Sequence, residues 1–111
     1  MKYIPYVNIK QGSASISRFS NGNTLPLVQR PFGMAPFCLQ SDAGGGRWFF
    51  HPDHPCTEGI RLTHQPSPWI NDYGTFSIMP LSGDLQVDNR FRGREFSHEN
   101  EVAKPYLYQL K

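Results

Sequence analysis

The chain has no apolar run near the ~20 residues that a bilayer span requires. Its opening, Met1-Lys2-Tyr3-Ile4-Pro5, lacks the apolar core of an export signal. The expectation is a cytoplasmic location and no membrane partner. Cysteine is scarce: Cys38 and Cys56 are too few for a disulfide framework and lack metal-ligand spacing, so two reduced thiols are expected. Charge of either sign is thin, with 11 basic and 9 acidic residues scattered without runs for a net +2. No basic stripe of the kind that binds nucleic acid is present. Helical periodicity is also missing, since no window keeps it for three turns.

What is abundant are the residues of turns and strands. Ten Gly, ten Pro, eight Phe, five Tyr and two Trp are spread along 111 residues, enough chain for one modest core. Short apolar runs alternate with turn residues, which predicts an all-β, antiparallel β-sandwich as a single domain over 1–111. Strands are expected at Tyr6–Ile9, Thr24–Val28, Met34–Gln40, Arg47–His51, Ile60–His64, Thr75–Leu81, Leu85–Val87, Phe96–His98 and Tyr106–Leu110. Pro26 and Pro36 confine their segments to edges or irregular crossings. Residues 52–58 are read as a loop and Arg90–Glu95 as an exposed connection. The alternation at Tyr106–Leu110 stops one residue before the last, which suggests that the polypeptide continues and that the sandwich is an incomplete part of a larger one. Phe32, Phe37, Trp48, Phe76 and Ile78 are the expected buried anchors.

Catalytic constellations are hard to find. The nine carboxylates occur singly or in Glu99-Asn100-Glu101. On a strand Glu99 and Glu101 would share a face, but a solvated turn tethered by Lys104 is the preferred reading. His51-Pro52-Asp53-His54 is stiffened by proline and no remote Cys/His pair completes a zinc set. No serine has an elbow-like setting, and Gly44-Gly45-Gly46 lacks the Lys and Ser/Thr of a phosphate loop. The richest stretch is Gly59–Asp72, which runs from a strand-like alternation into a loop carrying His64, Ser67, Trp69 and Asp72. A surface Trp beside hydrogen-bonding groups suits a sugar ring, apolar on its face and polar at its rim. The competing reading makes Trp69 a core or interface plug and Asp72 a turn cap before Gly74. On this chemistry alone the chain is a binding or scaffold domain.

Four segments, in order, carry a resemblance. They are Tyr6-Val7-Asn8; Gly22-Asn23-Thr24-Leu25-Pro26 with Arg30-Pro31-Phe32-Gly33-Met34; Gly59 to Trp69 with its Thr63-His64 pair; and Phe96-Ser97-His98-Glu99-Asn100-Glu101 followed by Ala103, Pro105, Tyr106 and Tyr108. Together they resemble the amino-terminal domain of glycoside hydrolase family 92, the calcium-dependent exo-acting α-mannosidases. The resemblance departs at Ile9-Lys10, where the family often has Pro and Phe, and at Arg47-Trp48-Phe49-Phe50, where its form is usually richer in Trp.

The resemblance implies a β-sandwich packed on a carboxy-terminal (α/α)6 catalytic barrel that this chain lacks. It implies inverting cleavage of terminal α-1,2-linked mannose from an N-glycan-type oligosaccharide. The catalytic carboxylates and most calcium ligands would lie on the barrel, so no catalytic or metal residue is assigned here and calcium is expected only in the full-length enzyme. This chain would lend pocket loops, with Trp48 and Trp69 stacking on sugar, His64 and Asp72 bonding hydroxyls, and Arg47 and Arg30 fixing the pocket wall or barrel interface. Without its partner domain the fragment is expected to be inactive and to self-associate. The alternative is a free-standing carbohydrate-binding or protein-interaction sandwich.

Overall fold

Alternation at period two decides which segments can pair, because successive strand residues point to opposite faces. The computed structural model describes residues 2–14, 18, 24–41, 50–64 and 76–111. Within them the chain is all-β and antiparallel, as expected of part of a β-sandwich. Strand β1 (Phe37–Gln40) pairs with β3 (Gly59–Leu62), which pairs with β4 (Phe76–Ile78) in a three-stranded sheet. Two short ladders join β2 (Cys56–Thr57) to β5 (Arg94–Glu95) and β6 (Val102–Lys104) to β7 (Leu107–Gln109). A single helical turn, α1 (Asn89–Arg92), precedes β5.

The register of the main sheet sorts its residues. Phe37, Leu62 and Phe76 lie side by side, as do Leu39, Ile60 and Ile78, so six apolar residues share one face. Cys38, Arg61 and Ser77, with Gln40 beside Gly59, form the other. The polar face is the buried one. Gln40 and Cys38 are each 2% exposed, and the Arg61 guanidinium donates two bonds to Gln40 Oε1, at 3.1 and 2.7 Å. Ser41 is fully buried and exchanges hydrogen bonds with the backbone of His51. Leu25, Cys38, Leu39 and Phe50 make the small core, with Leu27, Phe96, Tyr108 and Leu110 packed against it.

The expected anchors are therefore corrected. Phe32 is 67% exposed, Phe76 51% and Ile78 57%, and Phe37 is exposed as well; Trp48 lies outside the described residues. The apolar alternation is real, but its face opens onto a groove of about 530 Å3 lined also by Tyr106, Leu107 and Leu110. Leu39 alone among the six is fully covered.

Several strand expectations also give way to local turn chemistry. Ile4–Tyr6 is a 3-10 turn with Pro at its start, and the Asn8 side chain accepts from the Lys10 N–H, so Tyr6–Ile9 does not extend. Leu85–Val87 follows Gly83, at φ +86°, without joining a ladder. Ser97 caps a 3-10 turn at His98–Asn100 by accepting from the Glu99 N–H, which ends the extension after Phe96. Residues 52–58 and Arg90–Glu95, expected to be unpaired, each contribute a strand of the β2–β5 ladder. Most of the Arg47–His51 expectation lies outside the described residues; Phe50 and His51 are not in a strand.

Candidate functional site

One end of the three-stranded sheet gathers the described part of the expected site. Val28 bridges Phe37, and Phe37 pairs with Leu62, so the chain leaves this end at Val28 and at Leu62 in the same direction. Arg30 lies two residues beyond Val28, and His64 two beyond Leu62. The intervening Thr63 is buried; its N–H donates to the Pro36 carbonyl at 2.9 Å and its hydroxyl to the His64 carbonyl at 3.0 Å. That pair of bonds fixes the backbone at half-buried His64. Arg30 is exposed and precedes a cis Pro31, and Gln29 ties the loop to the carboxy-terminal hairpin through the Pro105 carbonyl at 3.2 Å. His64 and Arg30 thus leave the same end of the sheet, where β4 also begins. Trp48, Trp69, Asp72 and Arg47 lie outside the described residues.

Sequence reasoning missed a second cluster. Glu101, expected in a solvated turn held by Lys104, has a side chain only 2% exposed. Lys10 Nζ sits 2.6 Å from its Oε2, His98 Nδ1 lies 3.0 Å from the same oxygen, and the Tyr108 hydroxyl donates to Oε1. His98 Nε2 in turn faces the His54 carbonyl at 3.0 Å. A doubly protonated ring satisfies both acceptors and a neutral ring only one. Glu99 does not share a strand face with Glu101, because the 3-10 turn at His98–Asn100 intervenes. Burial works to raise the Glu101 carboxyl, but the bonds from Lys10, Tyr108 and His98 outweigh it and hold the group below its ordinary value. Burial, reinforced by Glu101, pushes the Tyr108 phenol up. The signal available in the sequence was the Ser-His-x-x-Glu spacing, which shows the pair but not its distant lysine.

Such a carboxylate is poorly suited to chemistry on a substrate. Both oxygens already accept from donors of the chain itself, and no described group stands opposite as a second acid or base. Nor do the described residues fit calcium, which asks for six to eight oxygen ligands. Among them no three His, Cys, Asp or Glu side chains converge, and the Lys10 ammonium occupies the place a cation would take at Glu101. What the arrangement can do is hold the two ends of the chain together and aim two loops from one sheet end.

An all-β chain with a buried motif carboxylate and an open apolar face has the form of one part of a larger sandwich. Residues 6–111 match the glycosyl hydrolase family 92 N-terminal domain, and the chain belongs to that family. The solved structure of a family GH92 inverting mannosidase from Bacteroides thetaiotaomicron is similar to it, with a TM-score of 0.82 and 46% identity. That match covers 97% of this chain and 15% of the mannosidase chain. No curated protein gives a match.

Proposed function

We propose that this chain serves as the amino-terminal part of an exo-acting, inverting α-mannosidase with α-1,2 specificity, lending loops to the substrate pocket and packing on a catalytic (α/α)6 barrel. The observation that carries this reading is 46% identity over 97% of the chain to a family GH92 inverting mannosidase. The open face of Phe37, Ile60, Phe76 and Ile78 supports a packing role, since apolar surface of that extent marks an interface. Inversion requires a general acid and a general base far enough apart to admit water, about 6.5–9.5 Å. Those carboxylates, and most of the calcium ligands, are assigned to the barrel. Trp48 and Trp69 then stack on mannose, His64 and Asp72 bond its hydroxyls, and Arg47 and Arg30 brace the pocket wall.

The test is an assay of the full-length protein on an α-1,2-mannobiose, with calcium and with a chelator, the product anomer being read by proton NMR. Calcium-dependent release of β-mannose is the expected result, and the 111-residue chain alone should release none. Turnover by the isolated chain, or an α-configured product, would refute the proposal. In the same assay Trp69→Ala should lower kcat/KM by on the order of tenfold while leaving the melting transition in place. Unchanged kinetics in that folded variant would return Trp69 to the scaffold.

A further inference from the structure

The amino-terminal segment makes few described contacts with the rest of the chain. Among the described residues its backbone N–H groups bond within the segment: Tyr6 N–H to Tyr3 O, Val7 N–H to Ile4 O, Gln11 N–H to Asn8 O, and Ser13 N–H to Lys10 O. Thr24 adds one bond, at 3.3 Å, from its hydroxyl to the Gln11 carbonyl. Tyr3, Tyr6 and Val7 are exposed and Ile4 and Ile9 half-buried, so within 2–14 no apolar side chain is fully buried, and the buried residue is the small polar Ser13. Against this stands the ion pair of Lys10 with Glu101, which reaches across 91 residues to a nearly inaccessible carboxylate. Units with few buried contacts open locally at low cost, and such a bond then sets the cost.

We propose that Glu101 is a pH-gated clasp that holds residues 2–14 on the carboxy-terminal hairpin, and that protonating it frees this segment while the three-stranded sheet stays paired. The groups facing Glu101 are Lys10 from the amino-terminal segment, His98 from the 3-10 turn, and Tyr108 from β7; Tyr108 in turn packs against the core cluster that includes Cys38 of β1. Each of the three donors requires an acceptor. Protonation removes the negative charge that Lys10 pairs with, and it turns one carboxyl oxygen from acceptor into donor, so the ion pair becomes a weaker contact to a neutral group. The folded carboxyl lies below its ordinary value of 4.5. Its stabilisation is therefore present above that value and lost as pH falls through the folded one. The clasp is closed at neutral pH and opens in acid. His98 also links the clasp to the His54 carbonyl, so the loop before β2 should loosen with it.

Hydrogen exchange read peptide by peptide in the full-length protein, corrected for the intrinsic pH dependence of exchange, tests this. On acidification below pH 4.5 the 2–14 peptide should lose at least tenfold in protection before the β1 and β3 peptides lose any. Glu101→Gln should show the unprotected 2–14 peptide already at pH 7 and no further change in acid. Lys10→Met, which leaves Glu101 its bonds to His98 and Tyr108, should expose the same peptide at every pH with the sheet protected. Should Glu101→Gln unfold throughout, the parent titration and Lys10→Met still decide. Protection of 2–14 that is independent of pH, that is lost only together with the sheet, or that survives Lys10→Met would overturn the clasp.

Discussion

Gly59 shows how a single position can be set by its neighbours across a sheet. Its φ is +149°, a conformation that side chains avoid, and a Cβ there would lie 2.6 Å from Ser77 Oγ and 2.9 Å from the Ile78 carbonyl oxygen. The serine could turn away, but the backbone oxygen belongs to the β3–β4 ladder and cannot. Gly59→Ala should destabilise the protein by roughly 1–3 kcal/mol, read as a lower midpoint in denaturant unfolding; a midpoint matching the parent would refute the assignment. The sequence marked Gly59 only as the start of an informative stretch. Its requirement comes from β4, which lies 17 or more residues further on, and Glu101 was misread for the same reason: Lys10 is 91 residues away.

At the scale of elements, the alternation was legible and the burial it should produce was not. Phe37 and Leu39, Ile60 and Leu62, and Phe76 and Ile78 each stand two residues apart within an expected strand, a spacing that puts each pair on one face, and the register shows the pairs side by side. Spacing says which residues share a face, but what covers the face is a property of the surrounding chain. Here the chain covers the side of Cys38 and Gln40. Very short alternations fared worse, because at Asn8 and Ser97 one side chain bonded to the backbone was enough to turn the chain. The end of the sheet that carries His64 and Arg30 was legible as loops, though not as a common end, since that follows from the bridge of Val28 to Phe37. The two faces of the sheet should respond differently to truncation. Leu39→Ala, at a covered site in the core, should cost about 2–5 kcal/mol. Phe76→Ala, half exposed, should cost less than about 2 kcal/mol. Chemical denaturation of both variants gives the comparison, and an equal or larger loss at Phe76 would contradict the burial described here.

At the scale of the whole molecule, a small core coexists with a large uncovered apolar surface. Among the described residues four buried ones form the centre of the core, whereas Phe37, Ile60, Tyr106 and Leu107 remain exposed along one groove and Phe76 and Ile78 are exposed on β4 beside Leu62 and Ile60. Water in contact with such a surface is costly at about 25 cal/mol per Å2, so any complementary apolar surface will be drawn to it. Under the proposed function that role falls to the rest of the polypeptide. In the isolated 111-residue chain the surface at hand is a second copy, and self-association should follow. Sedimentation velocity over a range of concentrations should show species larger than the monomer. Replacing Ile60 and Ile78 by threonine should shift the profile toward monomer. Threonine keeps the β-branch that suits a strand but weakens the apolar face, and neither site lies in the core, so the circular dichroism of the variant should match the parent. A monomeric parent at high concentration, or association unaffected in the double variant, would show that this face does not drive assembly.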